Sequence, residues 1–120
     1  MINMLEILSP EELYERGELE RHELKSPRFA DKTVMKFDSL DEATEFGKGF
    51  LIGYFLPRYG LEETKKFPFV KSGPFRNVED YLTEKVIGAK EPDSNRETWL
   101  IVPNDRFHEI QEYMDKIKEK

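Results

Sequence analysis

The chain has 120 residues and a mass of 14.3 kDa, the size of one domain. Lys and Arg number 19 against 25 Asp and Glu, a net charge of −6 that excludes a uniformly basic nucleic-acid binder. Cysteine is absent, which excludes disulfides, thiolate metal sites and cysteine nucleophiles.

Met1–Leu8 has neither a basic stretch nor a long apolar core, so no signal peptide is expected. Ser9-Pro10-Glu11-Glu12 then reads as a helix start. A serine oxygen can accept from an orphan N–H, proline suits the first helical position, and two acids oppose the positive end of the dipole. The helix is expected near residues 10–17, with Leu13 and Tyr14 facing inward and Gly17 as its left-handed stop. Glu18–Leu24 is helix-compatible but poorly patterned, and Ser26-Pro27 ends any helix there.

Thr33–Phe37 is a short strand by composition. Ser39-Leu40-Asp41-Glu42 has the form of a capping box. Leu40, Ala43, Phe46, Phe50 and Tyr54 follow at helical spacing, predicting a helix over 39–56 stopped by Pro57. Gly47, Gly49 and Gly53 argue against it, each costing about 1 kcal/mol relative to alanine. The rival reading makes Phe50–Leu56 a strand; that apolar run is in either case far short of the ~20 residues a membrane span needs.

Residues 57–76 carry three prolines and two glycines, predicting an irregular connection with a short edge strand near Lys66–Val70. Asn77 is placed to cap one or two helical turns through Val78, Tyr81 and Leu82. Strands are expected near 85–90 and 97–102, separated by the turn-rich Glu91–Arg96. Asn104 is placed to cap a last helix over 104–118, with Phe107, Ile110, Met114 and Ile117 on one stripe and Glu112 paired with Lys116. The whole predicts a single α+β domain over 1–120, a two-layer sandwich with a small, mostly antiparallel sheet. Its strands lie near 33–37, 85–90 and 97–102. The helices near 39–56 and 104–118 cover one face, and there is an N-terminal helix near 10–17. No family resemblance emerges.

Charge is placed unevenly. Residues 1–24 hold seven acids and two bases, whereas 57–76 hold five bases and two acids. Arg58, Tyr59, Lys65, Lys66, Lys71, Phe75 and Arg76 therefore form a basic aromatic segment interleaved with Phe67 and Phe69. Cations can take phosphates or carboxylates there while rings stack on apolar or π faces. The competing reading is structural, with the phenylalanines anchoring the loop in the core and the lysines merely solvated.

Other constellations read as ordinary. Asp38, Asp41, Glu42 and Glu45 share a helix face and suit the first turn of a helix better than a cation site. Gly47-Lys48-Gly49 matches no phosphate-loop pattern, while Gly49 and Gly53, four apart, suit close packing within the fold or across a homodimer. His22 and His108 could each act as a general base, but neither sits in a nucleophile motif. A charged fraction of 37% against the usual ~25% is typical of thermophile proteins.

The function expected from the sequence is thus a small, cytoplasmic, non-enzymatic accessory or regulatory domain without metal or cofactor. It would bind an anionic macromolecule through residues 57–76, with homodimerisation open and no membrane partner. Nucleic-acid or nucleotide binding through the same segment is the alternative, and a small enzyme using His22 or His108 the lesser one.

Overall fold

Three antiparallel strands organise the chain in a computed structural model that describes residues 5–68, 78–83 and 98–118. They are β1 (Glu6–Leu8), β2 (Lys32–Lys36) and β3 (Trp99–Pro103), in the spatial order β1-β2-β3. Leu8 lies opposite Val34 and Val34 opposite Ile101, while Ile7 meets Met35 and Met35 meets Leu100. Because side chains alternate along a strand, this register sorts the sheet into two apolar faces. Leu8, Val34, Trp99 and Ile101 form one core with Leu13, Leu19 and Phe29. Met35, Leu100 and Val102 form the other with Phe37, Phe46, Phe50, Phe55, Phe67 and Ile110.

The fold is α+β. The long helices after β2 and β3 cover one face, as the sequence predicts. The N-terminal helix covers the opposite face, so a third layer extends the expected sandwich. Consecutive burial of Val34 and Met35, and of Trp99 through Val102, is the physical sign of strands covered on both sides.

The N-terminal layer begins with α1 (Pro10–Glu15). Ser9 Oγ accepts from the Glu12 N–H at 3.2 Å, and Glu12 Oε1 accepts from the Ser9 N–H at 2.8 Å. Gly17 stops the helix with φ 83°. Leu13 is buried, but Tyr14 is exposed, correcting the expectation that both face inward. A 3₁₀ turn over Arg21–Lys25 follows and ends before Ser26-Pro27. Two ion pairs tie this layer to the sheet: Lys36 Nζ of the middle strand to Glu18 Oε1 at 2.8 Å, and Arg16 to Glu6 of the edge strand β1 at 3.1 Å.

On the other face, one helical run extends from Leu40 to Tyr59. It comprises α2 (Leu40–Lys48), a π-helical stretch (Gly49–Phe55) and α3 (Leu56–Tyr59). Residues 50–56 are therefore helical, not a strand. Ser39 caps the start by accepting from the Glu42 N–H at 3.1 Å, the forward half of the expected capping box.

Pro57 does not stop the run. A proline ring presses on the carbonyl four residues back and donates no hydrogen bond. Here the turn ahead of it is already wide, with the Leu56 N–H reaching the Leu51 carbonyl. The run breaks instead at Gly60, whose φ of 90° is open to glycine and strained for other residues.

Short helices α4 (Leu61–Lys65) and α5 (Val78–Thr83) follow. The expected edge strand near Lys66–Val70 is absent as far as Pro68, and the remainder of it, like the 85–90 strand, lies outside the described residues. After β3, a 3₁₀ turn (Asn104–Arg106) leads into α6 (Phe107–Lys118). Asn104 makes no side-chain cap; its Oδ1 accepts from the Thr33 hydroxyl at 2.6 Å. Ile110 is fully buried, with Phe107 and Met114 packed against the same core. The apolar stripe of α6 thus packs into the chain's own core.

Candidate functional site

The basic aromatic segment is built on the corner between α3 and α4. The Gly60 N–H donates to the Leu56 carbonyl at 2.9 Å, and the Gly60 carbonyl accepts from both the Thr64 N–H at 3.0 Å and the Thr64 hydroxyl at 2.7 Å. Thr64 is fully buried, so the turn is pinned from inside. Phe67 then drops into the core, edge-on to Phe50 at 5.0 Å and to Phe55 at 5.2 Å between ring centroids. The Arg106 guanidinium lies over the Phe67 ring at 5.1 Å and donates to Glu109 Oε1 through two nitrogens at 2.9 and 3.0 Å.

Each site residue expected from the sequence now has a place or falls outside. Arg58 lies over the Tyr54 ring at 4.2 Å. The Tyr54 hydroxyl in turn donates to Glu112 Oε1 at 3.1 Å, so Glu112 serves this contact. Partial desolvation, then this hydrogen bond, hold the Tyr54 phenol above its ordinary pKa. The Tyr59 ring packs at 4.4 Å from that of Phe55 yet remains 46% exposed, and Leu61 across the turn is 49% exposed. Lys65 approaches Glu79 at 3.9 Å, and Lys66 approaches Glu63 at 4.0 Å. Lys71, Phe75 and Arg76, with Phe69, lie outside the described residues.

The structural reading holds for Phe67, which is core, whereas Tyr59, outside that reading, stays half-exposed. The two lysine pairs are long and lie in solvent, where ion pairs contribute about 0–1 kcal/mol. They leave both ammonium groups available to another anion. A guanidinium held over a ring also keeps donors for a carboxylate or phosphate. Within the stretch from Arg58 to Lys66 the chain thus carries two exposed apolar side chains, Tyr59 and Leu61, and three cations.

The other constellations do not assemble. Asp38, Asp41, Glu42 and Glu45 are all exposed, and among the described residues no group of three or more His, Asp or Glu is arranged to hold a metal ion. His22 lies on the N-terminal layer, 3.5 Å from Glu20, and His108 lies on α6 across the sheet. The structure does not bring them together.

Of the glycine pair, Gly49 does mark a close approach. A Cβ there would stand 2.5 Å from the Tyr113 hydroxyl oxygen, whereas one at Gly53 would meet nothing within 4 Å. Sequence reasoning missed a second feature altogether. A cleft of about 460 Å³ opens at one end of the sheet, between α1, the 3₁₀ turn and the start of β2. Its residues are scattered from Ser9 to Asn104, a spacing that carries no local signal.

No protein-family model matches the chain, and neither curated proteins nor solved structures give a match. No helix among the described residues is long and apolar enough to cross a membrane.

Proposed function

We propose that this chain is a small cytoplasmic accessory domain that acts by binding, and that the corner at Arg58–Lys66 docks an acidic segment of a partner protein. The observation that carries this is the half-exposed pair Tyr59 and Leu61 in the same stretch as Arg58, Lys65 and Lys66. Aromatic and Arg side chains are the usual anchors of protein interfaces. The surrounding cations select an acidic surface and repel a basic one. A cysteine-free composition agrees with a reducing compartment.

The test is fluorescence anisotropy with a labelled synthetic peptide alternating Glu and Phe, against the whole chain. Saturable binding is expected, weakening as salt rises. Lys65→Glu combined with Lys66→Glu should abolish the salt dependence, and Tyr59→Ser should weaken binding by about tenfold. A labelled oligodeoxynucleotide forms the second arm. Tighter oligonucleotide binding, with a log–log salt slope of up to about three, would replace the protein partner by nucleic acid. Failure of both probes, or equal binding by the charge-reversed variant, removes the corner from the account.

A further inference from the structure

We propose that the cleft at the end of the sheet binds a small hydroxylated oxyanion, a phosphate monoester or carboxylate that also carries hydrogen-bond donors. It lies apart from the α3–α4 corner and stands independently of the docking proposal.

Lys32 is the centre of the argument. Its half-buried ammonium donates to the carbonyls of Pro27 and Ala30, both at 3.1 Å. An ammonium has three N–H donors, and these two carbonyls carry no formal charge. Among the described residues Lys32 makes no ion pair, and neither does its neighbour in the lining, Lys25. A cation held only by neutral carbonyls keeps its charge for an anion entering the cleft.

The remaining polar lining narrows the ligand. Asn104 spends its Oδ1 on the Thr33 hydroxyl, which leaves its carboxamide N–H groups without an acceptor among the described residues. Its backbone N–H holds the Asp31 carbonyl at 3.0 Å, fixing this wall to the sheet. Asp31 itself sits at φ 58°, the left-handed region, where non-glycine residues are uncommon. Such local backbone strain collects at ligand sites because the surrounding structure has to enforce it.

Glu11 and Asp31 also line the cleft and balance the two lysines. A bare anion would gain from the lysines and lose to the carboxylates. A ligand with an anionic head and hydroxyl or amino groups satisfies both, the head on Lys32, Lys25 and Asn104 and the donors on the carboxylates. The volume of about 460 Å³ lies within the range of small-metabolite pockets.

The experiment is ¹⁵N–¹H correlation NMR of the whole chain, titrated separately with glycerol 3-phosphate, glycerate, inorganic phosphate and glycerol. Glycerol 3-phosphate or glycerate should shift the amides of Ala30–Thr33 and Asn104 saturably; whichever binds tighter identifies the head group. Inorganic phosphate and glycerol should bind about tenfold more weakly or not at all. Asn104→Asp keeps the acceptor for Thr33 while replacing the N–H donors by a charge, and Lys25→Glu removes an exposed cation. Each should weaken binding by about tenfold with the urea midpoint unchanged. Lys32→Met is the harsher variant, because it also frees two carbonyls. Phosphate binding as tightly as glycerol 3-phosphate, equal affinity in both mild variants, or no saturable shift at these amides would each overturn the assignment.

Discussion

Gly49→Ala places a methyl group where α6 meets the long helix. The new carbon would lie 2.5 Å from the Tyr113 hydroxyl oxygen, about an ångström inside van der Waals contact. The phenol cannot simply swing away, since its ring sits between those of Phe46, Phe50 and Tyr54 at centroid distances of 5.3, 5.7 and 5.7 Å. Overpacking of this kind costs about 1–3 kcal/mol, offset by about 1 kcal/mol of helix propensity gained over glycine. A net loss of up to about 2 kcal/mol is expected. Removing only the oxygen, as Tyr113→Phe, leaves the ring carbon at an ordinary 3.6 Å. In that background the same alanine should stabilise by up to about 1 kcal/mol. Gly53→Ala, with open space around its Cβ, should stabilise in either background and serves as the control. Urea unfolding followed by circular dichroism gives all four corners of the cycle, at about half a molar shift in midpoint per kcal/mol. An equal effect of Gly49→Ala in both backgrounds would refute the close approach.

Three further outcomes follow from the charges and phenols. Glu18→Gln weakens the pair with Lys36, whose side chains are only 23% and 26% exposed, and should cost about 1–2 kcal/mol by chemical denaturation; no loss would mean the pair forms only transiently. The Arg16 guanidinium holds the exposed Glu6 carboxyl below its ordinary pKa. The stabilisation it brings is therefore present above the usual carboxylate range and lost as pH falls through the folded value. Arg16→Gln should destabilise slightly at neutral pH and not at all in acid, and a difference that persisted in acid would contradict this. The Tyr54 and Tyr113 phenols are both raised, Tyr113 by burial. Stability should fall as pH rises from the ordinary phenol range towards their folded values, because the unfolded chain loses those protons first. Tyrosinate absorbance should show a late step that Tyr54→Phe reduces, and a single early titration of all phenols would count against it.

Local chemistry made much of the fold legible. Ser9 with Glu12, the apolar period from Leu40 to Tyr54 and the run Trp99–Val102 each state their element through neighbours in sequence. What escaped depended on distant partners. Glu6-Ile7-Leu8 is too short to show an alternation, and becomes a strand only because β2 pairs with it. Tyr14 looked apolar enough for the core, yet Pro10 and Leu13 are the buried residues of α1 and Tyr14 is exposed. Asn104 has the chemistry of a cap but is drawn off by Thr33, 71 residues away. Pro57 seemed a terminator because an ordinary α-turn would clash with it, and nothing local announces a wider turn.

The same dispersion governs the candidate sites. The corner was visible because its cations and rings are contiguous, although which ring would be buried and which exposed was not. Phe67 is buried and Tyr59 half-exposed, on opposite sides of the break at Gly60. The cleft was invisible because Lys32 and Asn104 meet only through strand pairing at the end of the sheet.

The π-helical stretch gives the long helix a phase as well as a length. A seven-residue segment wound wider than 3.6 residues per turn offsets everything beyond it by a fraction of a turn. Closing this stretch into regular pitch with no residue removed would rotate the downstream helix by about 100°, whereas excising one residue as the coil tightens would nearly cancel that rotation. In the first case Phe55 would leave the sheet, and Tyr59 and Leu61 would point in another direction. Which way the corner faces is thus encoded ten residues upstream of it, in the local looseness of the helix.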